Sequence, residues 1–305
     1  MRVLVTGGAG FIGSHVVEGL LQAGHEAIVL DNLSHGKRDN LPEGTPLYEV
    51  DVRDGEGVAA VLAKTHPQAI LHLAAQVSVS YSVAYPAEDG EVNIIGTLNL
   101  LEGAQRYKVE KFVFSSSVAV YGNPQYQPCD EYHPTVPLSP YGMSKWAAES
   151  YIRLFHRLYG LRYTILRYGN VYGPRQDAEG EAGVIAIFIS RMLAGEPTVI
   201  DGDGLQTRDF VYVGDVARAN LLALHAGDGE TFNLGTGRAT SIVALWQTLR
   251  HLTGYSDEPV HGLPRTGDIR HMVLDAEKAR TKLGWTAETP LEEGLQRTIA
   301  AWSRS

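Results

Sequence analysis

The chain has 305 residues, 44% hydrophobic and 20% charged, with a formal net charge of −9. That size and apolar content bury a substantial core in one large or two modest domains. The acidic balance argues against broad electrostatic binding to nucleic acid or an anionic membrane, leaves room for a local basic pocket, and is joined by the lack of any apolar run near the ~18 residues of a membrane span.

Met1 leads straight into RVLVTGG with no leader segment, and the first half alternates β-branched runs with helical stretches. Parallel strands joined by crossover helices give that pattern. RVLVT (2–6) predicts the first strand, and VTGGAGFIGSH follows with Gly7, Gly8, Gly10 and Gly13 at a strand-to-helix turn. Such a turn lets backbone approach closely and offers a helix N-terminus to a pyrophosphate. Ile12, Val16, Val17, Leu20 and Leu21 mark one face of the first helix, and Gly24 is placed to cap it. EAIVLD (26–31) is the second strand and ends on Asp31, 18 residues after Gly13. A carboxylate there accepts from ribose hydroxyls and repels a 2′-phosphate, favouring NAD over NADP. The alternative is a glycine-rich structural turn and an ordinary strand-end acid.

LYEVDV (47–52) reads as the third strand, closing on Asp51 and Val52 where an adenine edge would lie, unless Asp51 merely caps. AILHLA (69–74) is the fourth strand, EVNIIGTLNLLEGAQRY (91–107) a helix, and KFVFSSS (111–117) the fifth strand. Ser117 thus stands where active sites of open parallel sheets form, or is a polar strand end. Cys129, the only cysteine, sits in a polar, proline-bearing stretch with no evident base beside it. One thiol cannot form an internal disulfide, which fits a reducing cytoplasm. SPYGMSK (139–145) opens a helix running from about 141 to 158, with Tyr141 and Lys145 on one face. The pair presents a hydroxyl and an ammonium to one small volume, or is solvated on a surface helix. YTILRYG (163–169) is the sixth strand.

After Gly169 the regularity fades, and a smaller second domain is expected from residue 171. The strand-then-helix stretch 209–227 is a candidate to return to the first domain's sheet. The expected fold is α/β: a Rossmann-type doubly wound parallel sheet over 1–170, then a mixed α/β substrate domain over 171–305. No metal site is expected.

As an ordered set, TGGAGFIG, DN at 31, DVRD at 51, LHLAAQ at 71, SSSVAVYG at 115, YGMSK at 141 and RYGNVYGPR at 167 resemble the extended short-chain dehydrogenase/reductases. QTRDFVYVGDVA at 206 and RTGDIRH at 265 narrow the resemblance to the nucleotide-sugar 4-epimerases of the UDP-glucose 4-epimerase kind, over nearly the whole chain. The resemblance implies catalysis by Ser117, Tyr141 and Lys145, the tyrosine exchanging a proton with the sugar's 4-hydroxyl. A free tyrosine titrates near pH 10, so a base at neutral pH needs positive charge nearby, which Lys145 and an oxidised nicotinamide supply. It also implies NAD held by Gly7, Gly10, Phe11, Ile12, Gly13, Asp31, Asn32, Asp51, Val52, Leu73, Ala74, Ala75, Gln76, Ser115, Tyr141, Lys145 and Tyr168.

For the substrate, the resemblance implies diphosphate contacts from Arg208, Arg265 and Asn170, with Asp268 near the nucleoside ribose. Guanidinium forks suit phosphate geometry; the alternatives are surface arginines paired with Asp209 or Asp268, and an asparagine capping a turn. Two departures concern the base: Asp201 replaces a stacking aromatic residue, and Gly183 and Val184 replace an Asn-Leu pair. Met272 falls where related epimerases gate the sugar's C2 substituent, or packs between domains. The dehydratases of this family carry an acid in the two positions after the catalytic Ser or Thr; here these are Val118 and Ala119.

The implied function is NAD-dependent C4 epimerisation of a nucleotide sugar, UDP-glucose and UDP-galactose foremost, through a transient 4-keto intermediate. Alternatives are a UDP-glucuronate or UDP-N-acetylhexosamine 4-epimerase and, in another class, a non-catalytic NAD-binding sensor or scaffold. The family implies a homodimer, with the helices over 92–101 and 141–158 as candidate contacts, although their apolar stripes could equally be monomer core.

Overall fold

All six expected strands lie in one parallel sheet, and a seventh from the far half of the chain joins them. The computed structural model describes residues 1–178, 183–264 and 269–302. In chain order its strands are β1 (Arg2–Thr6), β2 (Glu26–Asp31), β3 (Leu47–Glu49), β4 (Ala69–His72), β5 (Lys111–Ser117), β6 (Arg162–Tyr168), β7 (Asn170–Tyr172), β8 (Val199–Asp201), β9 (Thr207–Arg208), β10 (Phe210–Tyr212), β11 (Glu230–Leu234), β12 (Thr240–Ser241) and β13 (Val260–Gly262). The α-helices are α1 (Phe11–Gln22), α2 (Gly55–Thr65), α3 (Val79–Ala84), α4 (Pro86–Gly90), α5 (Gly96–Arg106), α6 (Pro140–Tyr159), α7 (Val184–Ala194), α8 (Val213–Ala223), α9 (Ile242–Thr253) and α10 (Leu291–Trp302).

The main sheet runs β11-β6-β5-β4-β1-β2-β3, every pairing parallel. β1 is an interior strand covered on both faces, so Val3, Leu4 and Val5 are wholly buried, which explains a near-continuous apolar run rather than an alternating one. One face packs α1 and α8 around Val16, Leu20, Val216 and Ala219. The other packs α2, α5 and α6 around Leu62, Leu100, Ala148 and Ile152. A third cluster, with Ile185, Phe188, Trp246 and Leu249, binds α7 to α9 beside the sheet.

Stretch 209–227 divides on folding. Its strand, β10, pairs with β7 outside the main sheet, while its helix, α8, lies along α1, where Gly19 allows Leu221 to approach to 3.3 Å of where a Cβ would stand. The strand that joins the main sheet is β11, beside β6. The chain therefore recrosses the expected boundary at residue 170.

Two element limits also differ. The third strand stops at Glu49, because Asp51 turns its carboxylate onto the Arg53 backbone N–H at 2.9 Å and bends the chain before α2. Asp51 and Val52 therefore lie beyond the strand, not within it. The helix expected over 91–107 begins earlier, at Pro86 of α4, and passes through a π-helical turn at Glu91–Ile95 before continuing as α5.

Candidate active site

Helix α6 carries the central pair, and local chemistry sets where it starts. Ser139 is its N-cap, accepting from the Gly142 N–H at 3.1 Å, Pro140 occupies the first turn, and Gly160 (φ 74°) ends it. Gly142 has a further reason: a Cβ there would stand 2.6 Å from the Ala119 carbonyl oxygen, so only glycine lets the helix start press against the turn after β5. Tyr141 lies in that first turn, and its backbone N–H donates to Ser82 Oγ of α3 at 3.1 Å.

One turn on, Lys145 is buried, its Nζ donating to the Ser115 carbonyl at 2.9 Å and lying 4.9 Å from the centre of the Phe114 ring. Burial lowers its pKa to about 8, against the opposing pull of Asp89 and Glu149. Tyr141 is shifted upward, chiefly by burial, while the facing Ser117 hydroxyl acts to lower it. Ser117 Oγ also accepts from the Ala119 N–H at 3.1 Å, fixing the side chain at the end of β5. Ser117, Tyr141 and Lys145 therefore converge at the C-terminal edge of the sheet. A phenol held near a buried ammonium and a hydroxyl can exchange a proton with a sugar hydroxyl.

The glycine loop lies at the same edge of the sheet, after β1, with β4 between it and β5. Gly7 has φ 68°, and a Cβ on it would stand 2.7 Å from the Ala74 nitrogen; a Cβ on Gly13 would stand 2.0 Å from the Gly7 oxygen. Loop, α1 and the segment after β4 therefore close on one another only without side chains. No side chain caps α1 at Gly10, so the first N–H groups of that helix, at Phe11, Ile12 and Gly13, stay available for an anion. Asp31 is buried at the end of β2, where its oxygens accept from the Ala9 and Leu33 N–H groups at 3.0 and 2.9 Å. Asn32 donates to Asp51 Oδ2 at 2.8 Å, joining the predicted cofactor residues that follow β2 and β3. Asp51 is held below the usual carboxylate range, chiefly by the Arg53 guanidinium. Val52 is a core residue packed on Gly96. Leu73 to Gln76 follow β4 as irregular chain, with the Leu73 N–H on the Thr6 carbonyl and the Ala74 N–H on Thr6 Oγ1. A bare helix start, a side-chain-free loop and an acid at the end of β2 fit a dinucleotide.

A hydrogen-bond chain missed at the sequence level supports this edge. Thr97 Oγ1 donates to the Asn93 carbonyl at 2.6 Å, so it accepts from His72 Nε2 at 3.0 Å, and His72 Nδ1 in turn accepts from Thr6 Oγ1 at 2.7 Å. This fixes a neutral imidazole, and burial, followed by the nearby Lys145, lowers its pKa to about 3. Asn93, in the π-helical turn, accepts from the Gln76 N–H at 2.9 Å and has its amide 3.0 Å from Ser144 Oγ of α6. π-Turns within helices concentrate at functional sites. The visible signal was a polar residue on the apolar stripe of EVNIIGTLNLL.

Ser115 and Tyr168 meet on the other face of the sheet. Burial raises the Tyr168 hydroxyl to about 12, and its bonds to Ser115 and Asn220 oppose this, so it is a neutral phenol. The predicted substrate residues are less concentrated. Asn170 opens β7, its N–H on the Asp209 carbonyl at 2.8 Å; Val184 is the first residue of α7; Arg208 lies in β9 with Nη1 on the Thr207 carbonyl at 2.9 Å. Met272 is buried with Val120, Cys129 and Leu274, with Val118 packed against them, and its N–H donates to the Thr207 carbonyl at 3.2 Å. It thus connects the turn after Ser117 to β9. Cys129 is wholly buried there, 4.0 Å from the Met272 sulfur, and burial raises its thiol to about 11, which removes nucleophilic character. Arg265 and Asp268 lie outside the described residues. Among those described, no helix is long and apolar enough to cross a membrane.

The NAD dependent epimerase/dehydratase family matches residues 3–235. A UDP-glucose 4-epimerase of Thermotoga maritima, solved with UDP-glucose, is 51% identical with a TM-score of 0.98, covering 100% of this chain and 99% of its own. A UDP-glucose 4-epimerase of Thermus thermophilus, solved in complex with NAD, is 46% identical with a TM-score of 0.95, covering 99% of each chain. The UDP-glucose 4-epimerase of Mycolicibacterium smegmatis is 45% identical over 98% of this chain and 97% of its own.

Proposed function

The chain belongs to the NAD dependent epimerase/dehydratase family, and from that premise we propose that it interconverts UDP-glucose and UDP-galactose at C4, with NAD as cofactor. The observation that carries the reading is the meeting of Ser117, Tyr141 and Lys145 at the sheet edge that also carries the glycine loop. Bound NAD supplies the hydride acceptor of the first half-reaction and the donor of the second. Tyr141 takes the proton of the sugar's 4-hydroxyl and, once the 4-keto sugar has turned its other face, returns it. Lys145 supplies the positive charge that makes a phenolate accessible, and Ser117 holds the oxygen on which the proton moves.

Val118 and Ala119 support epimerisation over dehydration. They form a single 3₁₀ turn whose side chains carry no acid, so nothing there removes a proton and expels water. Arg208 and Asn170 are assigned to the diphosphate, with Arg265, and Asp268 to the nucleoside ribose. The nucleotide-sugar part would then be 171–305, less the stretch from α8 to β11 that packs with the main sheet. The acting form we assign is a cytoplasmic homodimer, supported by exposed Ile95 beside α5 and Met143, Trp146 and Leu158 on α6.

The test is a panel of UDP-, dTDP- and GDP-sugars scored for C4 inversion by the purified protein. UDP-galactose and UDP-glucose should interconvert without added reductant. NAD binding with no inversion of any sugar would favour a sensor instead.

A further inference from the structure

Tyr141, Lys145, Glu149 and Arg153 recur every fourth residue, so they form one stripe along α6. The first two are assigned to chemistry. Glu149 is fully buried, and it gathers three donors: Ser116 Oγ at 2.6 Å, Arg167 through Nε at 2.9 Å and Nη2 at 2.7 Å, and Arg153 Nη2 at 2.7 Å. Ser116 lies between Ser115, whose carbonyl holds Lys145, and Ser117, which faces Tyr141. Helix α6 is therefore bolted to β5 at two consecutive residues, Lys145 on Ser115 and Glu149 on Ser116.

Arg167 extends the connection. Its Nη1 donates to the Tyr121 hydroxyl at 3.0 Å, which donates to Asn233 Oδ1 at 2.6 Å. Asn233 Nδ2 donates to the Cys129 carbonyl at 3.0 Å, and Cys129 packs on Met272. A buried ion pair is a costly way to gain stability, since well-packed apolar residues often serve as well. What this pair gives that apolar packing does not is fixed direction: a bidentate fork sets helix against strand in one register.

We propose that Glu149 and Arg167 are positioning residues, an inner brace that holds the α6 phenol and ammonium in register with Ser117 and, through Tyr121 and Asn233, with the wall carrying Met272. The inference rests on the assignment of Tyr141 and Lys145 to catalysis. The charged and titratable groups facing Lys145 are Tyr141 and Glu149 on its own helix, Asp89 from α4 and His72 from β4.

Two variants separate bracing from stability. Glu149→Leu with Arg167→Met replaces the pair by apolar groups, and Ser116→Ala removes only the bolt to β5. Each is assayed as NAD-loaded protein for Tm, NAD content, kcat, KM and the pH profile of kcat, beside Tyr141→Phe. The brace predicts an unchanged NAD content, KM within about twofold, kcat down by at least about 10-fold, and the acid limb of the profile moved to higher pH as Lys145 loses its hold on the phenolate. Wild-type kcat and pH profile in the double variant would overturn the inference. Should that variant fail to fold, Ser116→Ala decides it on the same readouts. If Tyr141→Phe itself is fully active, the catalytic assignment fails; if Tyr141→Phe is inactive while the brace variants are normal, only the brace does.

Discussion

Lys145 Nζ stands 6.0 Å from the centre of the Tyr141 ring, one helical turn away, with its own charge buried. Both groups are pushed toward their neutral forms by burial, Lys145 against the pull of Asp89 and Glu149, Tyr141 against the Ser117 hydroxyl; once Tyr141 gives up its proton, the ammonium one turn away is the cation placed to hold the phenolate. Lys145→Met should therefore raise the pH at which Tyr141 ionises. Because turnover follows the phenolate, the acid limb of kcat should move upward by about one to three pH units. A pH–rate series on wild type and variant checks this; a normal rate with an unmoved profile would separate the two residues functionally.

His72 makes a linked prediction about stability. Its folded pKa of about 3 lies below the unfolded value of 6.5, so the unfolded chain binds the extra proton between them. The contribution is complete above pH 6.5 and is lost as pH falls from there toward 3. Between about pH 7 and about pH 5, wild type should lose about 2 kcal/mol more unfolding free energy than His72→Gln. Urea titrations at both pH values measure the difference; equal losses would mean that His72 is protonated in the folded state.

Met272 forms part of the wall joining Val118, next to Ser117, to β9. A flexible thioether of intermediate bulk should hinder an N-acetyl group at C2 without excluding it. The ratio of kcat/KM for UDP-galactose over UDP-N-acetylgalactosamine should exceed one, fall in Met272→Ser and rise in Met272→Tyr. A ratio of one unmoved by either substitution would place the gate elsewhere.

The main sheet was legible because its strands are short β-branched runs separated by helical faces, and the glycine loop because its strand, turn and helix stood together. β11 was not, since Glu230–Leu234 carries a single β-branched residue, Thr231, and its place beside β6 depends on pairings 66 residues apart in the chain. The end of β3 was misplaced because Asp51 bonds its own neighbour, a side-chain choice that periodicity does not record. At the site, helical spacing put Tyr141 and Lys145 of YGMSK on one face but left a solvated surface pair equally open; the resemblance carried by the other motifs made the pair catalytic. Glu149 followed the same spacing but needed Ser116 and Arg167, from two strands, before it meant anything. Of the His72 chain only Asn93, polar on an apolar stripe, left a mark in the sequence; its partners Thr6, His72 and Thr97 meet only in three dimensions.

If Tyr141 carries the proton in C4 inversion, Tyr141→Phe removes that carrier alone, because the ring and its packing remain while the hydroxyl goes. The measurement is the single-turnover and steady-state conversion of UDP-galactose to UDP-glucose by NAD-loaded protein, with NAD content determined on the same sample. NAD content should be full and turnover reduced by at least about 100-fold. Turnover near that of wild type, at equal NAD content, would contradict it.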